Sequence, residues 1–360
     1  MNAKVTNSAL MFATLILTSA CTAPSNPSAQ TEQPPEQPQQ QQQVKQVANS
    51  ETVAGGKVKI DGSSTVYPIT QAIIKDYEAS GNQAQVEVNF SGTTGGFKKF
   101  CAGETDINNA SRPILKAEME ACKANGIGYM EFPIAFDALT VAVNPQNNWA
   151  QDITTEELKK IWEPAAQNKI TKWNQVRSSW PDRPLKLYGA GDKSGTFDYF
   201  TEATVGTPRA SRKDYTASED DNVLVNGIIK DPNALGYFGY SYYEQNKDKL
   251  KALPVDNGKG PILPSPTTVE KNQYQPLSRP LFIYVNITSS QNKPAVNNFV
   301  KHYIEKAPTA ASSVGYIPLP EEGKHLNYVH FYRGKVGTVF GGEAKLNLTI
   351  SELLRKEGQF

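Results

Sequence analysis

Three short turns in this 360-residue chain share one chemical design. Gly62-Ser63-Ser64-Thr65, Gly92-Thr93-Thr94-Gly95-Gly96 and Ser194-Gly195-Thr196 each combine glycine with hydroxyl residues, just ahead of a helical pattern. A helix start leaves up to four N–H groups without an intrahelical partner and carries the positive end of the dipole, so it favours oxyanions. Ser and Thr hydroxyls add neutral donors, and glycine lets the backbone come close. One such turn is an ordinary helix cap. Three in one chain, with Arg112 directly after a strand, point to a shared anion site.

Other chemistries fail on spacing. Gly189-Ala190-Gly191-Asp192-Lys193-Ser194 approaches a nucleotide phosphate loop, but Asp192 stands where that motif places Gly before Lys. No G-x-S-x-G elbow surrounds Ser194. His302, His325 and His330 fall late in the chain and in no metal-ligand spacing. Neither Glu156-Glu157 nor Glu219-Asp220-Asp221 comes with a nucleophile, a base and an orienting group. The expectation is a binding protein with no catalytic residue, no metal and no cofactor.

The elements that must hold the turns alternate. Val58–Ile60 reads as a strand, Tyr67–Ala79 as an amphipathic helix and Gln85–Phe90 as a second strand. A helix around Phe97–Cys101, a strand at Asp106–Ala110 and a helix at Lys116–Ala124 continue the series. Thr155–Trp162, Phe197–Ala203 and Val223–Ile229 read as later helices. Strand, turn and helix in repetition argue for parallel α/β. Two longer apolar strands, Ala138–Asn144 and Pro280–Asn286, divide chemically different regions and read as paired crossovers between two lobes. The first lobe is then discontinuous, 53–140 with 284–342, and the second is 141–283. Residues 343–360 form a C-terminal tail, with one amphipathic helix at Ala344–Lys356.

Composition agrees with a globular body that is 38% hydrophobic. A formal net charge of +1 speaks against a nucleic-acid binder. The N-terminus reads as an address. Met1–Ala20 holds one cation, Lys4, and the apolar run Ala9–Leu17, too short to span a bilayer and suited to a secretory signal. Thr18-Ser19-Ala20-Cys21 resembles a bacterial lipobox, with Thr18 where Leu or Val is usual; lipidation of Cys21 is expected. Residues 21–52 are rich in Gln, Pro, Ser and Ala, the composition of a disordered tether. Without Lys4 and the tether's one lysine and three glutamates, the body carries a formal +2, so any anion site must be local. In an exported protein the two remaining cysteines, Cys101 and Cys122, are expected to form a disulfide.

Six segments carry a more specific likeness. Asp61–Pro68, Ser91–Phe97, Gly103–Ile114, Ser194–Phe200, Ala234–Tyr240 and Gly315–Pro320 together resemble the PstS family, the phosphate-binding proteins of ABC transporters. The resemblance runs from about Val58 to Pro320. It implies an α/β fold of the type II periplasmic-binding-protein kind, two lobes with the ligand in the cleft between them. It implies high-affinity binding of inorganic phosphate and delivery to a membrane permease, without turnover, by an exported monomer anchored through its lipid at the periplasm or cell surface. Carried over by position, Ser64, Thr65 and the Val66 amide form one donor group. Thr93 forms a second, and Ser194, Gly195 and Thr196 clamp from the other lobe.

One branch of the family has an Asp at the position of Arg112 and an Arg at that of Ala190. Here the cation stands in the first lobe. The expectation is that Arg112 binds phosphate bidentately with Asp192 holding its guanidinium, and that Asp221 accepts the phosphate proton. The rivals are a receptor for another oxyanion, sulfate or molybdate, and an exported phosphatase-like enzyme with Ser194 as nucleophile.

Overall fold

The computed structural model describes residues 55–360, all within one compact unit. The signal, Cys21 and the tether lie outside the described residues. Among the described residues no helix is long and apolar enough to cross a membrane.

The strands and helices that position the cleft are few. In the first lobe they are β1 (Lys57–Gly62), α1 (Tyr67–Ala79), β2 (Gln85–Val88), α2 (Thr93–Cys101), β3 (Ile107–Ala110) and α3 (Lys116–Ala124). The long strand β4 (Tyr129–Val143) leads out of it. The second lobe contains β5 (Lys186–Ala190), α4 (Gly195–Val205), β6 (Thr216–Ser218), α5 (Asp221–Lys230) and β7 (Ala234–Gly239). The chain returns on β8 (Ser278–Asn286) and ends with α6 (Pro294–Ser313), α7 (Glu321–Arg333) and α8 (Ile350–Gln359).

One continuous sheet runs β2-β1-β3-β8-β4-β7-β5-β6, with short strands at 251–252 and 317–318 also pairing with β4. β1 pairs in parallel with β2 and β3, and β5 in parallel with β6 and β7. These parallel trios make each turn run from a strand's C-terminal end into a helix. β4 and β8 run antiparallel between the trios.

Every residue of β4 and β8 is buried, which accounts for their long apolar runs. The pairing differs from the two expected crossover segments. β8 pairs with Tyr129–Ala138, and the stretch Leu139–Val143 pairs with β7 instead. The earlier half of β4 carries Glu131, Pro133 and Asp137, which break the apolar run and hide the strand from periodicity. The chain therefore crosses near Ala138–Leu139 and Leu277–Ser278. The boundary expected between 283 and 284 falls inside β8, whose Phe282–Val285 already pair with β3.

Apolar packing seats the helices. Ile69, Ile73, Ile74 and Tyr77 of α1 are buried, with Tyr77 edge-on to Phe299 of α6 at 5.1 Å. In the second lobe, Phe200 of α4 stacks on Tyr237 of β7 at 3.6 Å. A disulfide joins Cys101, the last residue of α2, to Cys122 in α3. The segment just before the tail closes on the first lobe: the Lys116 amide donates to Gly342 O and Gly337 N to Tyr129 O, both at 2.9 Å. The tail itself meets α7, where His330 Nε2 pairs with Glu357 O at 3.0 Å. Its helix begins at Ile350, six residues later than Ala344, because Thr349 caps it by accepting from the Glu352 amide at 3.1 Å.

Candidate functional site

All three turns open helices at the line where the lobes meet. Thr65 ends the loop ahead of α1, and Val66 is the residue before its first turn. Gly92, at φ +78°, precedes α2 and Thr93 begins it. Ser194 caps α4, its hydroxyl accepting from the Thr196 amide at 3.1 Å. Ser64, Thr65, Val66, Thr93, Ser194, Gly195 and Thr196 are all buried.

The lobes touch through these residues. Thr65 Oγ1 lies 3.1 Å from Thr196 Oγ1, and the Thr94 amide donates to Lys193 O at 3.0 Å. Thr93 Oγ1 accepts from the Ser111 amide at 3.1 Å and pairs with its hydroxyl at 3.2 Å. A Cβ on Gly195 would stand 2.5 Å from Thr93 Oγ1 and 2.7 Å from Ser111 Oγ, so this approach admits only glycine.

Arg112 reaches the cleft, but its five N–H donors are already engaged. Nε donates to Asp198 Oδ2 (2.8 Å); Nη1 to Pro113 O (3.0 Å) and Glu118 Oε2 (2.8 Å); Nη2 to Glu118 Oε1 (2.7 Å) and Thr94 Oγ1 (2.8 Å). Glu118 belongs to the first lobe and Asp198 to the second, so the guanidinium bridges them. Burial alone would lower its pKa, but Glu118 and then Asp198 outweigh burial and hold it above the usual range. Asp192 does not hold this guanidinium as expected. Its side chain is exposed on the loop, while Asp198, in the first turn of α4, faces inward. Arg209 completes the network, Nη1 donating to Asp198 Oδ1 at 2.9 Å.

A second buried cation was not foreseen. Arg279, fully buried at the start of β8, donates through Nε and Nη2 to Asp137 Oδ2 of β4 at 3.2 and 2.9 Å. Nη2 also reaches Thr65 Oγ1 (3.2 Å) and Thr196 Oγ1 (2.9 Å), one hydroxyl from each lobe. Nη1 is buried with no hydrogen-bond partner. The sequence did hold a signal: Arg279 is the one charge in β8, Asp137 is one of two acids in the mostly apolar β4, and a buried charge is rarely found unless it is paired. Ser111, Asp198 and Glu118 carried no comparable signal, being ordinary polar residues next to turns and helices.

Asp221 stands where expected. It opens α5, is 2% exposed, and its Oδ2 accepts from Ser64 Oγ at 3.2 Å across the lobes. Burial pushes its pKa up to about 7, against the opposing pulls of the Ser64 hydrogen bond and Arg279. Hydroxyls and helix N-termini from both lobes thus meet, two of the three turns in contact with an arginine that keeps one unpaired nitrogen and one of them with a poised carboxyl. That is a set able to hold a small oxyanion carrying a proton.

The sequence model of the PBP superfamily domain matches residues 32–306. The phosphate-binding protein PstS of Staphylococcus saprophyticus is 37% identical over 270 residues, 74% of this chain and 82% of that protein. The chain belongs to the PstS family. Protein SphX of Synechocystis is 57% identical over 303 residues, 84% of this chain and 90% of its own. A possible phosphate binding protein from Planctomyces limnophilus is 44% identical, with a TM-score of 0.58 over 78% of this chain and 99% of that one. An ABC-type phosphate transport receptor from Vibrio cholerae shares the fold at 23% identity, TM-score 0.54, over 72% of this chain and 99% of that one. The two-lobe α/β fold expected from the PstS likeness is therefore the fold observed. Membership also sets aside the phosphatase reading.

Proposed function

We propose that this chain captures inorganic phosphate between its lobes and delivers it to an ABC importer, without chemical turnover. The observation that carries the reading is the meeting of three hydroxyl-bearing helix starts across two lobes, two of them in contact with a buried arginine and one with a buried carboxyl. Ser64, Thr65 and the Val66 amide hold the anion from the first lobe together with Thr93, and Ser194, Gly195 and Thr196 hold it from the second. Asp221 accepts the proton that phosphate retains near neutral pH. Sulfate has no such proton and would set a lone pair against a carboxylate, which is costly. Bound phosphate stabilises the closed lobes by its greater affinity for them, and the permease reads that closed surface.

The protein is exported and works as a monomer tethered by a lipid on Cys21. The small-residue stretch ending in that cysteine and the Gln/Pro-rich residues after it support this reading. Calorimetric titration of the full chain, stripped of bound anion, tests the ligand. Phosphate is expected to bind with micromolar or tighter affinity, and sulfate at least ~100-fold more weakly, about 2.7 kcal/mol. Equal affinities, or a preference for sulfate or molybdate, would sink the phosphate reading.

A further inference from the structure

The cleft contains two buried arginines, and only one has donors to offer. We infer that Arg279, held in place by Asp137, is the charged ligand of the anion, and that Arg112 is a strut between the lobes that does not touch it. This assignment rests on the phosphate reading above.

Arg279 sits where the chain crosses between lobes, so its guanidinium is reached from both sides, by Thr65 and by Thr196. Its orientation is set. Asp137 Oδ2 takes Nε and Nη2, Asp137 Oδ1 is itself held by the Tyr240 amide at 3.0 Å, and the Tyr199 ring lies 5.8 Å from Cζ. What remains is Nη1, buried and unpaired. A buried cationic donor without an acceptor is costly, and an oxyanion relieves that cost with a charge-assisted hydrogen bond. Thr65 and Thr196, two of the hydroxyls expected to hold phosphate, bond the adjacent Nη2 of the same guanidinium.

Arg112 has no such vacancy among its donors. An anion could reach it only by displacing Glu118 or Asp198, which would leave a carboxylate beside the incoming negative charge. Arg112 and Arg209 balance Glu118 and Asp198, so this network adds no net charge to attract a ligand. What it does is join α3 of the first lobe to α4 of the second.

The test is calorimetric titration of inorganic phosphate into the full chain and into Arg279→Gln, Arg279→Gln/Asp137→Asn and Arg112→Gln, each checked for folding by thermal melting. The double variant removes both charges, so no lone carboxylate is buried and folding is retained if the single variant fails. Arg279→Lys, which keeps the charge and its Asp137 partner but loses the forked edge, gives a further reading on a conservatively changed fold. The folded Arg279 variants are expected to lose at least ~100-fold in phosphate affinity, and Arg112→Gln less than ~10-fold. Phosphate affinity within ~3-fold of the unsubstituted chain in the double variant, or a larger loss in Arg112→Gln, overturns the assignment. If the unsubstituted chain gives no heat with phosphate, the phosphate reading falls and this one with it. If it binds and the double variant binds equally, only the role of Arg279 falls.

Discussion

Arg112 and Arg279 line one cleft and are equally buried, yet their surroundings differ in the respect that decides their chemistry. Around Arg112, carboxylates from both lobes and two further oxygens use every donor. Around Arg279, a single carboxylate from the neighbouring strand and two threonine hydroxyls take one edge and leave the other unpaired. Burial and charge are the same in both places; saturation is not. A saturated arginine stabilises an arrangement of the protein, whereas an unsaturated one calls for something from outside. The guanidinium's rigid fork makes the distinction visible, because each donor has a fixed direction that is either filled or empty.

Four further experiments would break or sharpen this contrast. The largest effect is expected on stability, from Arg112→Gln. It leaves Glu118 and Asp198 without their shared cation, and breaking a buried pair costs about 3–5 kcal/mol. Arg209 still reaches Asp198, so the lower end applies. Chemical denaturation measures the loss, and a variant as stable as the original would remove Arg112 from its role as a strut.

Next is the covalent tie behind that strut. The Cys101–Cys122 disulfide joins α2, which begins with Thr93, to α3, which carries Glu118. Replacing both cysteines by serine is expected to destabilise the protein by about 3 kcal/mol. If thermal melting shows no change, the tie adds nothing to the first lobe's half of the network.

Gly195→Ala addresses closure itself. The new Cβ meets Thr93 Oγ1 and Ser111 Oγ from the opposite lobe, so the closed state is strained while each lobe stays intact. A loss of ~100-fold in phosphate affinity with little change in melting temperature is expected. Unchanged affinity would mean that the lobes need not come this close to hold the anion.

The smallest effect concerns Asp221. Its carboxyl faces Ser64 and Arg279, with Asp137, Asp220 and Tyr242 nearby. Its pKa is about 7 in the folded protein against an ordinary 3.8, so the folded state keeps this proton longer. The group's contribution to stability therefore falls as pH rises from about 4 to 7 and levels off above. Asp221→Asn should flatten that slope. At pH 8 it should also narrow the gap between phosphate and sulfate by ~10-fold, about 1.4 kcal/mol. At pH 6 the unsubstituted protein, itself protonated here, should discriminate much like the variant. Paired titrations at the two pH values decide it, and full discrimination by the variant at pH 8 would free Asp221 from the proton-accepting role.

Much of the site was legible because its signals are local. A glycine and a few hydroxyls ahead of an amphipathic run announce a helix start whose donors are unspent, and the three turns read this way do open helices at the lobe junction. Asp221 was legible for the same reason, as an acid opening a helix after a loop. Arg112 was legible as a cation near the cleft but not as a saturated one, because Glu118 reaches it only through the fold of the first lobe and Asp198 only through the way the lobes meet. Arg279 was missed because it lies 214 positions from Thr65, in a strand read only for its apolar run.

The sequence by itself determined the alternation of strands and helices, the anion-seeking turns, the two-lobe family and the pairing of the two body cysteines. The family follows from the likeness of six segments to PstS, and the rest from short-range chemistry: side-chain periodicity, helix capping, and the number of thiols available. Only the tertiary structure decided where the chain crosses between lobes, which carboxylate meets which arginine, and which guanidinium edge is left empty. These depend on distances between residues far apart in sequence, and a hydrogen bond requires alignment within a few tenths of an ångström that composition and spacing do not encode.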